Sequence, residues 1–243
     1  MELIIDIGNT LIKYYVFQDN NILDSKKNII ENWRYSLEVI KLKYPNIKSV
    51  ILSDVNGSFK NDLIEVLQPL NILHCTIDLK LPFTTKYSPS KQLGSDRIAL
   101  LAACCLLHPK KNRLVIDLGS CITYDILDKQ NVHWGGAISP GFEMRYKGMH
   151  EYSSKLPLIK FKRSESIIGT STISAIHSGV YNGILNELSG NIEMYNETFE
   201  DLTIILTGGD AERLPKSLKN SIFAHSNFLA KGLNYTLAMN TFL

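Results

Sequence analysis

Two short turns in this 243-residue chain each place a carboxylate at the end of an apolar run. The first is Asp6-Ile7-Gly8-Asn9-Thr10, after Leu3-Ile4-Ile5. The second is Asp117-Leu118-Gly119-Ser120, after Leu114-Val115-Ile116. A carboxylate at the end of a buried strand is costly unless a cation or hydrogen-bond donors satisfy it. Gly8 and Gly119 leave no Cβ between a ligand and the backbone amide. Asn9, Thr10 and Ser120 add short polar groups, and consecutive turn amides make an anion-binding concavity. Lys13 adds a point charge three residues past Thr10. Phosphate oxygens need such donors, and a divalent ion clamping those oxygens needs carboxylate, often through water.

Three further stretches carry polar or glycine-rich chemistry. Thr207-Gly208-Gly209-Asp210 follows an apolar run and suits close approach of a nucleotide to the backbone. Gly135-Gly136-Ala137-Ile138-Ser139-Pro140-Gly141 is rigid, and its amides can line a pocket. Leu93-Gly94-Ser95-Asp96-Arg97 opens a helix beyond a Pro-containing loop, with Ser95 expected as N-cap and Asp96 in the first turn, where an acid favours the helix dipole.

The elements that position these residues repeat. Each half is expected to begin with three strands, the first carrying D-[IL]-G-[NS]. Helices and short strands then alternate. Trp33, Leu37, Ile40 and Tyr44 have helical spacing before Pro45, and the apolar segment from Ile98 to Leu107 reads as a buried helix. Residues 170–199 read as one or two helices and the chain closes on another. Lys110-Lys111-Asn112-Arg113 is the best linker candidate. The pattern is an internal duplication of an α/β unit. Residues 1–112 form the N-terminal half with the phosphate turn, and residues 113–243 the C-terminal half. A ligand cleft is expected between the halves.

Composition narrows the classes. Hydrophobic residues make up 44% and charged residues 21%, as in ordinary globular proteins. A net charge of +2 without a basic run gives no reason to expect nucleic acid. No apolar stretch approaches the ~18 residues of a membrane span, and Glu2 sits where a secretory leader would be basic. The four cysteines form no C-x-x-C pair and read as reduced, buried thiols of a cytoplasmic protein. There is no G-x-x-x-x-G-K-[ST] loop, no G-x-S-x-G elbow and no histidine pairing at zinc-ligand spacing.

Taken in order along the chain, DIGNT, Y-S-P…LGSDR, DLGS…YD, GGAISPG, GTST and TGGD resemble the type III pantothenate kinases. That resemblance implies the acetate and sugar kinase/actin superfamily fold: duplicated ribonuclease H-like (actin-like ATPase) halves, each a mixed sheet flanked by helices. It implies ATP-dependent phosphorylation of pantothenate, the first step of coenzyme A biosynthesis. By this resemblance Asp6, Ile7, Gly8, Asn9, Thr10, Leu11, Ile12 and Lys13 hold the ATP phosphates and the associated Mg²⁺, and Ser120 contacts ATP. Asp96 is the general base. Tyr87, Gly94, Ser95, Asp96 and Arg97 line the pantothenate site, joined by Thr172 from the partner subunit of a homodimer. Asp117 binds the monovalent cation, K⁺ or NH₄⁺. The family's second turn usually reads D-x-G-T-A. Here Ser120 keeps the hydroxyl and Cys121 takes more room than alanine. Two alternatives share the turns: a kinase of another small hydroxylated substrate, and a nucleotide-binding regulatory protein without catalysis. Asp96 and Arg97 argue against the second, since a pure binding module has no need of a base.

Overall fold

The computed structural model describes residues 1–8, 11–54, 57, 60–215, 218, 223–224 and 227–241. In chain order its elements are β1 (Glu2–Ile7), β2 (Leu11–Gln18), β3 (Asn21–Ile29), α1 (Trp33–Lys43), β4 (Ser49–Asp54), α2 (Lys60–Leu67), β5 (Asn71–His74), β6 (Thr84–Thr85) and α3 (Ser95–Leu107). They continue with β7 (Asn112–Leu118), β8 (Cys121–Leu127), β9 (Val132–Pro140), α4 (Phe142–Glu151), α5 (Thr172–Thr198), β10 (Leu202–Thr207), β11 (Phe223–Ala224) and α6 (Phe228–Asn240). No helix among the described residues is long and apolar enough to cross a membrane.

The chain divides into two compact units. The first comprises Met1–Lys110, Asn131–His133 and Asn227–Leu243; the second comprises Lys111–Gln130 and Trp134–Ser226. A division at 112/113 therefore departs from these units in two respects. The start of β9 and the C-terminal helix, both expected in the second half, belong to the first unit. Helix α6 lies there because it packs on α3, β1 and β4. At Gly232 the helices come so close that a Cβ would stand 1.8 Å from the Ala99 carbonyl oxygen. No local sequence signal shows which sheet a terminal amphipathic helix will cover.

Each unit holds a mixed sheet with flanking helices. The first sheet has the order β3-β2-β1-β4-β5, with β1–β2 and β2–β3 antiparallel and β1–β4 and β4–β5 parallel. In the second unit the order is β9-β8-β7-β10-β11, with β7–β8 antiparallel and β7–β10 and β10–β11 parallel. The second sheet has β6 as a sixth strand beyond β9; its other five strands correspond in order to those of the first, which is the duplication expected from the repeated D-x-G turns.

The first sheet is covered on both faces, so β1 is buried on both sides rather than alternating in burial. The alternation survives in which face each side chain meets. Leu3, Ile5 and Ile7 join Val50 and Leu52 in a core cluster with Trp33, Leu37 and Ile40 of α1 and Leu63 and Leu67 of α2. Ile4, Asp6, Ile51 and Ser53 point to the opposite face, where α3 and α6 lie. The corresponding core of the second unit gathers Leu114, Ile116 and Leu118 with Phe142, Tyr146, Ile184 and Leu188.

Helix 172–198 is a single element of 27 residues, not two. Its start is fixed by a capping box in which Ser171 and Ser174 exchange side-chain and backbone hydrogen bonds. The loop before α3 contains the short strand β6, paired in parallel with Val132 and His133.

Gly232→Ala is expected to destabilise the protein by about 1–3 kcal/mol, because the helices must part to admit the methyl group. A thermal melt unchanged from wild type would contradict this account of why α6 docks on α3.

Candidate active site

The site grows from the period of two in β1 and β4. Asp6 is the last residue of β1 on the α3 face and is only 5% exposed. Its antiparallel partner across β1–β2 is Lys13, and the ammonium lies 3.2 Å from Oδ2. The cross-strand position thus supplies the cation that a buried carboxylate requires. On the other side, the parallel register sets Asp6 beside Ser53 and Ile7 beside Asp54. Gly8 closes the hairpin, its amide donating to the Leu11 carbonyl at 3.0 Å. Ile7 and Ile12 pair across the hairpin and are fully buried, so their side chains serve packing while their backbone shapes the turn. Asn9 and Thr10 lie outside the described residues.

Ser53 then links the β1 end of the sheet to the helix that carries Asp96. Its Oγ lies 3.0 Å from Ser95 Oγ. This corrects the expected cap: Gly94 occupies the N-cap position of α3, and Ser95 is the first helical residue with its hydroxyl committed to Ser53. Asp96 lies in the first turn, and its Oδ1 accepts the Arg97 amide at 2.8 Å. A Cβ at Gly94 would stand 2.5 Å from that oxygen, so the glycine leaves room for the carboxylate.

Cys75, just beyond β5, closes the same neighbourhood. Its thiol donates to the Ser95 carbonyl at 3.6 Å. Burial pushes the thiol up to about 12, and the negative charges of Asp96 and Asp6 add to the effect. Asp6 and Asp96, 90 residues apart in sequence (96 minus 6), therefore act electrostatically on one side chain.

A second set of contacts in the first unit surrounds Arg97, which is 4% exposed. Its guanidinium lies 4.9 Å from the centroid of the Tyr87 ring, a cation–π distance. Tyr87 stacks on His133 at 6.2 Å and 18°. The Thr85 hydroxyl accepts the Tyr87 amide at 3.0 Å and pairs with His133 Nδ1 at 2.8 Å. Sequence reasoning singled out Tyr87 and Arg97 and missed Thr85, His133, Ser53 and Cys75. Those four are brought in by sheet pairing and long-range packing, which no local motif encodes.

The first unit thus brings together Asp6, Lys13, Gly94, Ser95, Asp96, Arg97 and Tyr87. Asp117, Ser120 and Thr172 belong to the second unit. There the β7–β8 turn is a hairpin one residue shorter than the first: the Gly119 amide donates to the Cys121 carbonyl at 2.9 Å, and Asp117 stands beside Thr207 of β10. Asp117 is half-buried and Ser120 exposed. Gly208, at φ +97°, passes so close to Leu118 that a Cβ would stand 2.2 Å from its carbonyl oxygen. The TGGD glycine is needed for that approach to the turn. Thr172 is the first residue of α5 and is exposed.

The model of the type III pantothenate kinase family matches residues 2–194. The chain is 48% identical over 241 residues to a type III pantothenate kinase of Christiangramia forsetii, covering 99% of each chain. It is 44% identical over 239 residues to one of Flavobacterium johnsoniae, covering 97% of each. This chain belongs to the type III pantothenate kinase family. Among solved structures it is similar to a Campylobacter jejuni protein described as a Baf family transcriptional activator, at TM-score 0.67 and 23% identity over 99% of this chain and 100% of that one. It is also similar to the activator of 2-hydroxyisocaproyl-CoA dehydratase from Clostridium difficile with bound ADPNP, at TM-score 0.52 and 13% identity over 98% and 92% of the chains. At these identities the two structures speak for the fold, which is that of the actin-like ATPases and sugar kinases.

With its thiol pushed up to about 12 and buried, Cys75 should stay protonated and resist maleimide at pH 8, reacting only after denaturation. Mass spectrometry of the labelled native protein checks this. Rapid labelling of Cys75 would contradict its burial beside Ser95.

Proposed function

We propose that the chain transfers the γ-phosphoryl group of ATP to the hydroxyl of pantothenate, giving 4'-phosphopantothenate and ADP in the first step of coenzyme A biosynthesis. The observation that carries this reading is the Ser53–Ser95 hydrogen bond. It docks the helix that carries Asp96 beside the strand end that carries Asp6. A carboxylate suited to a phosphate-bound metal ion and a base candidate therefore share one face of one sheet, in a chain whose family is defined by this reaction.

Phosphoryl transfer passes through a loose transition state, so catalysis is mostly positioning and charge neutralisation. Lys13 and the amides of the Gly8 turn hold the phosphate oxygens. Asp96 accepts the proton of the attacking hydroxyl as the new O–P bond forms and the bond to the ADP oxygen breaks. Arg97, held against Tyr87, lines the pantothenate side with Gly94 and Ser95. Among the described residues no group of three metal-ligating side chains forms a cage. Mg²⁺ fits the donors present nonetheless, because it is bound by one or two carboxylates together with substrate phosphates. Asp6 is the carboxylate in place for it, and the ion would supply charge neutralisation at those phosphates.

Ser120 contacts ATP from the second unit in this proposal, and Asp117 binds K⁺ or NH₄⁺. Thr172 reaches the pantothenate of a partner subunit in a homodimer, and the enzyme works in the cytoplasm. The half-buried carboxylate of Asp117 and the exposure of Thr172 support these roles.

Asp96→Asn should lower kcat by ~10²–10⁴-fold, the usual contribution of a positioned base, with ATP binding retained. Pantothenate-dependent ADP release should require K⁺ or NH₄⁺ and fall away in Na⁺ alone. Near-full turnover by Asp96→Asn would remove the base from Asp96, and equal rates in K⁺ and Na⁺ would remove the cation from Asp117.

A further inference from the structure

One carboxylate of the second unit holds both sides of the Asp117–Ser120 turn. Glu187 projects from the middle of α5 with its side chain 23% exposed. Tyr124 Oη, on β8 four residues beyond Ser120, donates to Glu187 Oε1 at 2.9 Å. Ser139 Oγ, at the far end of β9, donates to the same oxygen at 2.5 Å. Arg145 of α4 forms an ion pair with Oε2. The same arginine donates through Nε to the Pro140 carbonyl at 2.8 Å. The next residue, Gly141, donates its amide to the Ser120 carbonyl at 3.0 Å. A Cβ at Gly141 would stand 2.3 Å from the Gly119 carbonyl oxygen and 2.7 Å from that of Ser120. Residues 139, 140 and 141 are thus tied in turn to Glu187, to its arginine partner and to the nucleotide turn.

We propose that Glu187 is a positioning residue that fixes the Gly119–Ser120 turn for an anionic nucleotide, acting through Ser139, Arg145 and Tyr124. This rests on the reading above, in which that turn contacts ATP. Burial alone would raise the Glu187 pKa, but hydrogen bonds from Ser139, Arg145 and Tyr124 outweigh it and hold the carboxyl below its ordinary range. The network is therefore built around an ionised acceptor. A neutral amide is a weaker replacement: with its oxygen toward Arg145 its NH₂ can still donate to the two hydroxyls, but the charge paired with Arg145 is lost. Glu187 touches no reacting atom in this account. It supports the residues that support the turn.

The test is nucleotide affinity set against pantothenate affinity in the full-length protein. For Glu187→Gln, calorimetric titration with MgATP should give a Kd raised on the order of tenfold, the size expected when a supporting partner is removed. The KM for pantothenate should stay within about twofold, since the groups assigned to pantothenate in the first unit are unchanged. If Glu187→Gln does not fold, Tyr124→Phe and Ser139→Ala each remove one hydrogen bond and should raise the Kd by about threefold, from ~0.5–1 kcal/mol per bond. An unchanged MgATP Kd in these variants would overturn the proposal, as would equal losses for both substrates. If the wild-type chain binds MgATP without pantothenate-dependent turnover, the functional reading fails, and the Kd shift still decides the role of Glu187.

Discussion

The pairing of Asp6 with Lys13 is the contact on which the site in the first unit depends. A carboxylate only 5% exposed at the end of a central strand has to be compensated. The antiparallel register supplies an ammonium at 3.2 Å. Lys13 keeps more than a third of its side-chain surface exposed, so the charge is held near the carboxylate without being sealed away. In the proposed reaction a phosphate at the Gly8 turn would meet a lysine already oriented, and a divalent ion on that phosphate would meet the carboxylate. The remaining geometry of the unit follows from the face to which Asp6 points. Because β1 and β4 run parallel in register, Ser53 shares that face, and through Ser53 so do Ser95 and Asp96.

The duplicated sheets hold their two carboxylate turns in different surroundings. The order of the five central strands is shared, and each unit has a D-x-G hairpin, closed by Ile7–Ile12 in the first and, one residue shorter, by Leu118–Ile122 in the second. What differs is how each carboxylate is surrounded. Asp6 is buried and faces a lysine, whereas Asp117 is half-buried and stands beside Thr207. In the proposed mechanism the first is assigned to the Mg²⁺–phosphate complex and the second to the monovalent cation. The turns are also supported differently. The first is flanked by β4, which sets Ser53 and Asp54 beside Asp6 and Ile7. The second is hemmed by Gly141 and Gly208, whose missing side chains let two further segments approach it.

The parts of this arrangement that were legible in the sequence are the local ones. The repeated D-x-G turns, the helix opening at Gly94 to Arg97 and the strand–turn–strand starts of both halves all declare themselves within ten residues. They were enough to indicate the duplication and the phosphate chemistry. Residues contributed by long-range pairing were not legible. Ser53 is one serine in an apolar strand until the register sets it beside Asp6, and His133 is one histidine until β6 pairs with β9. Glu187 sits in the middle of a 27-residue helix and looks like an ordinary solvated acid. The misplaced N-cap has the same origin. Serine before a helix is the usual cap, but here Ser95 has a better partner in Ser53, and Gly94 leaves room for Asp96 instead. The docking of α6 was hidden as well, because its determinant is the absence of a side chain at Gly232.

The claim that most needs a direct measurement is that the buried carboxylate at the end of β1 serves the metal–phosphate complex. Equilibrium binding of ATP, titrated with and without Mg²⁺ on the wild type and on Asp6→Asn, addresses it. Mg²⁺ should strengthen binding to the wild type, and Asp6→Asn should lose most of that gain, by roughly tenfold, while ATP without metal binds it no more weakly, since a negative charge facing the phosphates has been removed. If Mg²⁺ strengthened binding equally in both proteins, Asp6 would be a structural partner of Lys13 and the metal–phosphate site would have to be sought elsewhere.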